Sequence, residues 1–303
     1  MKILTIDKLH KSFGDVHAVD GISFEVNEGE LFAFLGQNGA GKSTTISVIC
    51  GRLTKDSGEV RVNGRTIESD RDAIKREIGV VFQNSVLDKQ LSVRDNLKSR
   101  AALYGIHGSD LEKRICELSE LLELDELLKR PLGKLSGGQK RRIDIARALI
   151  HKPKILILDE PTTGLDPQTR KNVWDVVTKL QQNEKMTVFL TTHYMEEAAN
   201  ADNVVIIDRG RIAAEGTPHE LKSRYTYDYI TLYNVSESDV RSLSLPYECD
   251  RDSFRVKVKS TEEATALIVK RPELFKDYEI TKGGMDDVFL NVTGKKMIGG
   301  EAK

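Results

Sequence analysis

The stretch GQNGAGKSTT, from Gly36 to Thr45, contains residue types that bind phosphate. It follows the apolar run LFAFL and precedes a helical pattern, which is the strand, glycine-rich loop and helix context of a phosphate loop. Glycines let backbone N–H groups point at a phosphate, Lys42 reaches the terminal phosphates and Ser43 offers a hydroxyl to Mg²⁺. We therefore expect a nucleoside triphosphate and Mg²⁺ to be bound by Gly36, Asn38, Gly39, Ala40, Gly41, Lys42, Ser43 and Thr44.

Two acids, Asp159 and Glu160, follow the apolar run ILIL. This pattern predicts a buried strand with both acids at its carboxyl end, where open α/β sheets bind ligands. We assign Asp159 to Mg²⁺, through water, and Glu160 to the general base that activates the attacking water, a role worth about 10² to 10⁴ in rate. A strand that merely ends in exposed acids is the alternative, and the phosphate loop argues against it.

Gln83 and His193 also end apolar runs, GVVFQ and FLTTH. A neutral imidazole at this place can hydrogen-bond a γ-phosphate, and the glutamine amide can reach Mg²⁺ or the attacking water. Polar residues after strands are more often simple caps. Because both residues end strands of the same expected sheet, we predict that His193 and Gln83 are catalytic and that Gln83 is also a metal ligand.

The segment LSGGQKRR predicts a helix that begins at Ser136, since Ser136 and Gln139 form an S-x-x-Q capping box. Gly137 and Gly138 in its first turn weaken a helix unless something must approach closely. The basic residues 140–142 lie at the positive end of the helix dipole, so an anion is expected nearby. We interpret this segment as a second phosphate-binding surface, and the inserted helices favour an ATP held by another copy.

Two further residues admit two interpretations each. Asp166, followed by Pro167, is a good helix N-cap and is also a candidate ATP contact. Phe13 either stacks on the nucleobase or packs in the core, and the sequence does not separate these alternatives.

The surrounding pattern is that of an α/β protein. Near-continuous apolar runs in ELFAFLG, IGVVFQ, KILILDE, MTVFLTTH and NVVIIDRG predict a mostly parallel sheet covered on both faces. Asn63-Gly64 predicts a hairpin and hence an antiparallel piece beside that sheet. Helical patterns from about 88 to 150 predict an inserted helical subdomain in a domain of residues 1–224. Short alternating strands and a helix predict a small α+β domain over 225–303.

Composition narrows the class of protein. With 46 Lys plus Arg against 47 Asp plus Glu, the net charge is -1, so we do not expect nucleic acid as the main partner. The 3 cysteines are scattered, which is typical of a reducing compartment. No signal-peptide core and no run near the roughly 18 apolar residues of a membrane span is visible, so we expect a soluble chain.

The motifs GQNGAGKST, VVFQ, LSGGQ, ILILDEP, GLDP and TTH follow one another in an order that resembles the ATP-binding cassette of ABC transporters. The resemblance covers roughly residues 3 to 220. It implies a P-loop NTPase of the ABC type, with a mixed sheet core, an antiparallel β subdomain and an inserted helical subdomain. It also implies ATP and Mg²⁺ as cofactors, and a homodimer or heterodimer in which LSGGQ of one cassette closes over the ATP of the other.

The resemblance further implies roles for single residues. Gln83 couples to the membrane partner, Asp166 lies across the dimer and His193 senses the γ-phosphate. Phe13 stands where the family more often has tyrosine. The contact with ATP in trans falls to Ser136, Gly137, Gly138 and Gln139.

The motifs DNLKSRAALYGI, TTHYMEEAANADNVVIIDRGRIAAEGTP and GMDDVFLNVTGKK look like exporter ATPases of the multidrug or daunorubicin-resistance kind. We therefore predict an ATP-hydrolysing subunit, peripheral at the cytoplasmic face of the cell membrane, that drives a separate transmembrane permease. A soluble ABC ATPase that acts on the ribosome or nucleic acid is the alternative, although such proteins usually have two cassettes or a long coiled coil. A module that only holds nucleotide is disfavoured by the intact Lys42, Asp159, Glu160 and His193.

Overall fold

The computed structural model describes residues 1–294 and divides the chain into two compact units, the first from Met1 to Glu215 and the second from Gly216 onward. This boundary precedes the predicted one after residue 224, because the helix Pro218–Tyr225 packs against the helix Met285–Thr293 of the second unit. Residues 295–303 of the predicted second domain, with the final KK of GMDDVFLNVTGKK, lie outside the described residues.

The elements of the first unit alternate between strands and helices. Its strands are β1 (Lys2–Phe13), β2 (Val16–Asn27), β3 (Leu31–Leu35), β4 (Ser57–Val62), β5 (Arg65–Thr66), β6 (Ile78–Val81), β7 (Ile155–Asp159), β8 (Thr187–Thr192), β9 (Asn203–Asp208) and β10 (Arg211–Gly216). Its α-helices are α1 (Lys42–Ile49), α2 (Arg71–Glu77), α3 (Val93–Ala102), α4 (Gly108–Leu122), α5 (Gly137–Leu149), α6 (Pro167–Asn183) and α7 (Met195–Ala198), with a 3₁₀ turn over Leu132–Lys134.

The main sheet of the first unit has the strand order β10-β9-β3-β8-β7-β6. Strand β3 is parallel to β8 and β9, and β7 is parallel to β8 and β6, which confirms the predicted parallel core. All residues of β3 and β8 are buried, as expected for strands covered on both faces. Because the strands are parallel, the segments after β3, β6, β7 and β8 emerge at one edge of the sheet.

A second, antiparallel sheet has the order β2-β1-β4-β5. The predicted hairpin joins β4 to β5, and Asn63 and Gly64 adopt φ of 49° and 76°, as a tight hairpin turn requires. Strands β1 and β2 were not among the predicted strands. Register shifts, one of them between Ile6 and Leu9, interrupt their alternation, so the two-residue period is hidden in the sequence.

Aromatic side chains pack the two sheets together. Phe24 of β2 lies 5.2 Å from both Phe32 and Phe34 of β3, measured between ring centroids, and Phe189 of β8 lies 5.2 Å from Phe32. These rings belong to one hydrophobic cluster that also contains residues of β1, β4 and α1. The cluster therefore fixes the strand that precedes the phosphate loop.

Helices α3, α4 and α5 occupy the chain between β6 and β7, where the helical insertion is predicted. Helix α5 contacts both of its partners in the insertion and also α6 and β6. Ser92 caps α3 by accepting a hydrogen bond from the Asp95 N–H. In the part of the chain that the structure describes, no helix has the length and apolarity needed to cross a membrane.

The second unit is a small α+β fold, as predicted. Its elements are α8 (Pro218–Tyr225), β11 (Asp228–Tyr233), α9 (Glu237–Arg241), β12 (Tyr247–Asp250), β13 (Ser253–Val258), α10 (Thr261–Lys270), a 3₁₀ turn (Pro272–Leu274), β14 (Tyr278–Lys282) and α11 (Met285–Thr293). The sheet order β12-β13-β11-β14, antiparallel throughout, is that of a split β-α-β arrangement. Ile230, Val256 and Ala264 lie in the core between this sheet and its helices.

We predict that Phe189→Ala lowers the free energy of unfolding of the first unit by about 3–5 kcal/mol, because it removes a fully buried ring from the aromatic cluster. Urea unfolding followed by the fluorescence of Trp174, the 1 tryptophan of the chain, measures this unit. Val16→Ala is the control, because Val16 is 65% exposed. This variant should lower the free energy of unfolding by no more than about 0.5 kcal/mol. Equal costs for the two variants would contradict the packing argument.

Candidate active site

An open cleft of about 420 Å³ lies at the edge of the main sheet where the parallel strands end. The cleft contains predicted residues from the phosphate loop after β3, from the segment after β6 and from the segment after β7. Its lining residues are Phe13, Ala18, Asn38, Gly39, Gly41, Lys42, Ser43, Thr44, Gln83 and Glu160. Residues far apart in the sequence thus share one site.

The loop before α1 is held in place by close backbone packing. A Cβ atom on Gly41, which has φ of 112°, would lie 2.4 Å from the Ala18 carbonyl oxygen. A Cβ atom on Gly36 would lie 2.6 Å from the Ile207 carbonyl oxygen. Only glycine fits these two positions, and the loop therefore delivers the free N–H groups at the start of α1 into the cleft. This arrangement fits a phosphate group.

Lys42 places a buried cation inside the loop. The residue is 4% exposed, and its Nζ donates to the carbonyl oxygens of Gly36 and Gln37 at 2.7 and 3.1 Å. Nζ also lies 3.2 Å from Glu160 Oε1. Burial lowers the pKa of Lys42, and the neighbouring carboxylates of Glu160 and Asp159 oppose that effect. A phosphate that enters the loop would meet an ammonium group already directed at it.

Glu160 is the acid that lines the cleft, and it has several polar neighbours. Its Oε2 lies 3.3 Å from Gln83 Nε2, 3.3 Å from Thr163 Oγ1 and 3.5 Å from His193 Nδ1. The His193 side chain has the largest influence on the pKa of Glu160 and, with Lys42, lowers it to about 2 against the opposing effect of burial. Glu160 is therefore a carboxylate at neutral pH, which is the form that a general base requires.

Asp159 occupies a different environment from its neighbour. Its Oδ1 accepts a hydrogen bond of 2.7 Å from Thr191 Oγ1. Burial raises the pKa of Asp159, and the nearby Glu160 carboxylate raises it further. Among the described residues that line the cleft, Glu160 is present and Asp159 is not. The two acids thus occupy different environments, and their separate roles stay a prediction.

His193 follows β8 and is oriented by aromatic contacts. Its ring centroid lies 4.0 Å from that of Tyr194, and the guanidinium of Arg170 lies 4.4 Å from the Tyr194 ring centroid on the helix α6 side. The buried Nδ1 of His193 makes no hydrogen bond, so its 3.5 Å approach to Glu160 is an electrostatic contact. The imidazole therefore lies beside Glu160 without a hydrogen bond to it.

The structure decides one of the two sequence alternatives. Phe13 is 52% exposed and lines the cleft, with Lys11 Nζ 5.6 Å from its ring centroid, so the core-packing interpretation is wrong. Asp166 caps α6, since its Oδ1 accepts from the Thr169 N–H at 3.0 Å. The Asp166 side chain is exposed, and its contact across a dimer stays a prediction.

The predicted capping box at the start of α5 is present. Ser136 Oγ accepts from the Gln139 N–H at 3.3 Å, and Gln139 Oε1 accepts from the Ser136 N–H at 3.0 Å. Ser136 and Gly137 are exposed. A Cβ atom on Gly138 would lie 2.5 Å from Thr169 Cγ2, so this glycine already has a packing role against α6. None of these four cap residues is among the described residues that line the cleft.

Two of the basic residues after Gln139 meet their expected negative partners within their own chain. Arg141 is 6% exposed, and its guanidinium donates to the carbonyl oxygens of Pro161, Phe82 and Glu160 at 2.5, 2.7 and 3.2 Å. Arg142 donates to Glu123 Oε2 at 3.2 Å. The negative groups that these arginines need are supplied by their own chain. Arg141 thereby joins α5 to the ends of β6 and β7.

Sequence reasoning missed three residues of the site. Ala18 lines the cleft from β2 and faces Gly41, and an isolated alanine gives no signal of such a place. Thr163 and Thr191 donate to Glu160 and Asp159 through their hydroxyls. Their positions next to the acids, in DEPTT and at the end of β8, were a usable signal.

Comparisons with known proteins show the family of the chain. The family model described as "ABC transporter" matches residues 19–163. The Nod factor export ATP-binding protein I of Ralstonia nicotianae is 35% identical over 311 residues, which cover 97% of this chain and 95% of that protein. The linearmycin resistance ATP-binding protein LnrL of Bacillus subtilis is 36% identical over 314 residues, which cover 97% and 99%.

Solved structures of cassettes are similar to part of the chain. CbiO1 of Clostridium perfringens, part of the ABC transporter complex cbiONQ, has a TM-score of 0.68 at 32% identity, covering 73% of this chain and 90% of its own. The ATP-binding cassette MJ0796, in a dimeric post-hydrolysis state bound to ADP and Pi, has a TM-score of 0.63 at 27% identity, covering 71% and 98%. With the phosphate loop, the paired acids and the capped α5 in place, the chain belongs to the ABC transporter family as an ATP-binding cassette ATPase.

Proposed function

We propose that this chain hydrolyses ATP to drive export through a separate transmembrane permease, with Glu160 as the catalytic base. The observation that carries the proposal is the position of the Glu160 carboxyl group, 3.2 Å from Lys42 Nζ at the mouth of the phosphate loop. Relatives named for Nod factor export and linearmycin resistance support the direction of transport.

The proposed roles follow from the contacts in the cleft. When ATP enters, its phosphates compete for the Lys42 ammonium, and Glu160 is released toward the attacking water. His193 and Gln83 both lie within 3.5 Å of Glu160 Oε2. They then hold the carboxylate in position relative to the γ-phosphate. Phe13, at the rim of the cleft, takes the nucleobase.

Mg²⁺ is the metal that we propose for this site. No group of three or more His, Cys, Asp and Glu side chains within residues 1–294 forms a metal site by itself. A hydroxyl, an amide and a carboxylate beside ATP phosphates suit Mg²⁺, which retains several waters. Ser43, Gln83 and Asp159 would hold it, and it would neutralise phosphate charge during transfer.

Glu160→Gln should reduce ATP hydrolysis by about 10² to 10⁴, because the amide cannot accept a proton from water. Phosphate release by the purified chain measures this rate, and a fluorescent ATP analogue checks that binding persists. Glu184→Gln changes an exposed acid at the end of α6 and should leave the rate unaltered. A Glu160→Gln enzyme with the normal rate would exclude Glu160 as the base.

We further propose that two cassettes enclose ATP between them, in a homodimer or heterodimer. The exposed Ser136 and Gly137 lie at the amino end of α5, where orphan N–H groups attract an anion. Asp166, at the start of α6, is exposed as well. The dimeric state of MJ0796 bound to ADP and Pi supports this arrangement.

Ser136→Arg should abolish hydrolysis, because a bulky cation at the exposed cap would obstruct the opposing cassette. Nucleotide binding at Lys42 should remain within about twofold of normal, since the cap does not line the cleft of its own chain. ATP-dependent dimerisation, measured by light scattering in a Glu160→Gln background, should also be lost. Ser92→Arg removes a comparable N-cap from α3 and serves as the control. Normal hydrolysis in Ser136→Arg would overturn the dimer proposal.

A groove of about 260 Å³ is the docking surface that we propose for the permease. It lies between the end of α1, strand β6 and helix α3, beside Gln83. Apolar side chains, among them Val80 and Phe82, line it together with four cations and no acid of the described residues; the cations are Arg52, Lys75, Arg100 and Arg147. An acidic, partly apolar segment of the permease would complement it, and this contact would keep the chain at the cytoplasmic face of the cell membrane.

The double variant Arg52→Glu and Arg100→Glu should prevent co-purification with the permease, because it reverses charge in the groove. Basal ATP hydrolysis by the isolated chain measures folding in parallel. Lys98→Glu reverses an exposed charge on the same helix, outside the groove, and should retain the complex. Retention of the complex by the double variant would refute the groove as the docking surface.

A further inference from the structure

We infer that Glu197 is a positioning residue for ATP hydrolysis, which joins the loop of His193 to the loop between β7 and α6. The inference rests on the roles proposed above for Glu160 and His193. It adds a residue that is not among the described residues that line the cleft.

Glu197 is an acid buried without a cationic partner among its hydrogen bonds. The residue is 2% exposed and lies in the short helix α7. Its Oε2 accepts from Thr192 Oγ1 at 2.5 Å, and its Oε1 accepts from Trp174 Nε1 at 3.3 Å and from Thr162 Oγ1. Three donors from three separate elements therefore meet on one carboxylate.

The first of these donors belongs to the His193 loop. Thr192 is the last residue of β8, and its Oγ1 also accepts from the Tyr194 N–H at 2.9 Å. The hydroxyl thus links the residues on both sides of His193. The Thr192 carbonyl accepts from the Gly36 N–H at 3.2 Å, at the start of the phosphate loop. A shift of Thr192 would move the histidine relative to the nucleotide.

The other two donors belong to the β7–α6 connection and to α6 itself. Thr162 precedes Thr163, whose hydroxyl lies 3.3 Å from Glu160 Oε2. The carbonyl oxygen of Thr162 accepts from the Leu165 N–H at 3.1 Å. Trp174 lies in α6, the helix that Asp166 caps. Glu197 therefore sets the position of His193 against the segment that carries Glu160 at one end and Asp166 at the other.

A carboxylate is the side chain that this junction requires. It offers acceptor sites on two oxygens and no donor, whereas glutamine presents an N–H₂ group to one of the incoming donors. Burial of a carboxylate costs free energy, and packing alone would be served as well by an apolar residue. The presence of a buried acid at this place is thus accounted for by the three donors that it holds.

Glu197→Gln in the full-length chain should lower kcat for ATP hydrolysis by about tenfold to a hundredfold, as expected when catalytic groups are displaced by about 1 Å. KM and the affinity for a fluorescent ATP analogue should stay within about twofold. The emission of Trp174, the 1 tryptophan in the sequence, should shift, because an amide oxygen accepts more weakly from its indole N–H than the carboxylate oxygen does. Glu196→Gln, at the adjacent exposed acid, should change none of these values.

Thr162→Val provides a second variant, since it removes one donor and leaves the acid in place. It should lower kcat with KM unchanged. A shifted Trp174 emission with a normal kcat would overturn the inference, and so would a joint fall of kcat, nucleotide affinity and Tm, which indicates a role in folding alone. Glu160→Gln is measured beside these variants. A normal rate in Glu160→Gln would refute the proposed base, whereas a normal kcat in Glu197→Gln with an inactive Glu160→Gln would refute only the positioning role.

Discussion

The contact between Lys42 Nζ and Glu160 Oε1, at 3.2 Å, is the interaction on which the site depends. It joins a helix start after β3 to the end of β7, although β8 lies between these two strands in the sheet. An ammonium and a carboxylate can be kept so close and so buried only if each has further partners. The loop carbonyls of Gly36 and Gln37 supply them for the lysine, and Gln83 and Thr163 supply them for the acid. The phosphate loop and the proposed general base are therefore in direct contact.

Arg141 extends the same logic to the helical insertion. Its charge is buried, and burial lowers its pKa, yet its guanidinium is engaged by the backbone oxygens that end β6 and begin the segment after β7. The helix that begins at Ser136 is thus attached to the strands that deliver Gln83 and Glu160. A force applied to the insertion would be transmitted through Arg141 to the carbonyl oxygen of Glu160. This path does not pass through a side chain of the cleft.

The sequence predicted most of this arrangement, for identifiable reasons. Parallel strands buried on both faces leave continuous apolar runs, and the polar residue after each run marks the edge of the sheet, so Gln83, Glu160 and His193 were found together. The bulged strand β1 leaves no such period. The role of Arg141 was also hidden, because carbonyl acceptors have no sequence signature. Positive charge at a helix start indicates a nearby negative group but does not distinguish phosphate from backbone oxygen.

The exposed cap of α5 and the buried Glu197 use hydrogen bonds in two different ways near Glu160. At the cap, Ser136 and Gln139 satisfy each other and leave the surrounding N–H groups open to solvent. At Glu197, three donors are consumed inside the protein, and no group is left for a ligand. N–H groups that lack a partner can bind a ligand, whereas donors that are already hydrogen-bonded fix the geometry of the protein itself. The chain that runs from Glu160 into α6 contacts both features, since Thr162 is bonded to Glu197 and Thr169 packs against Gly138. An anion held at the open cap would therefore act on a segment whose other attachment leads directly to His193.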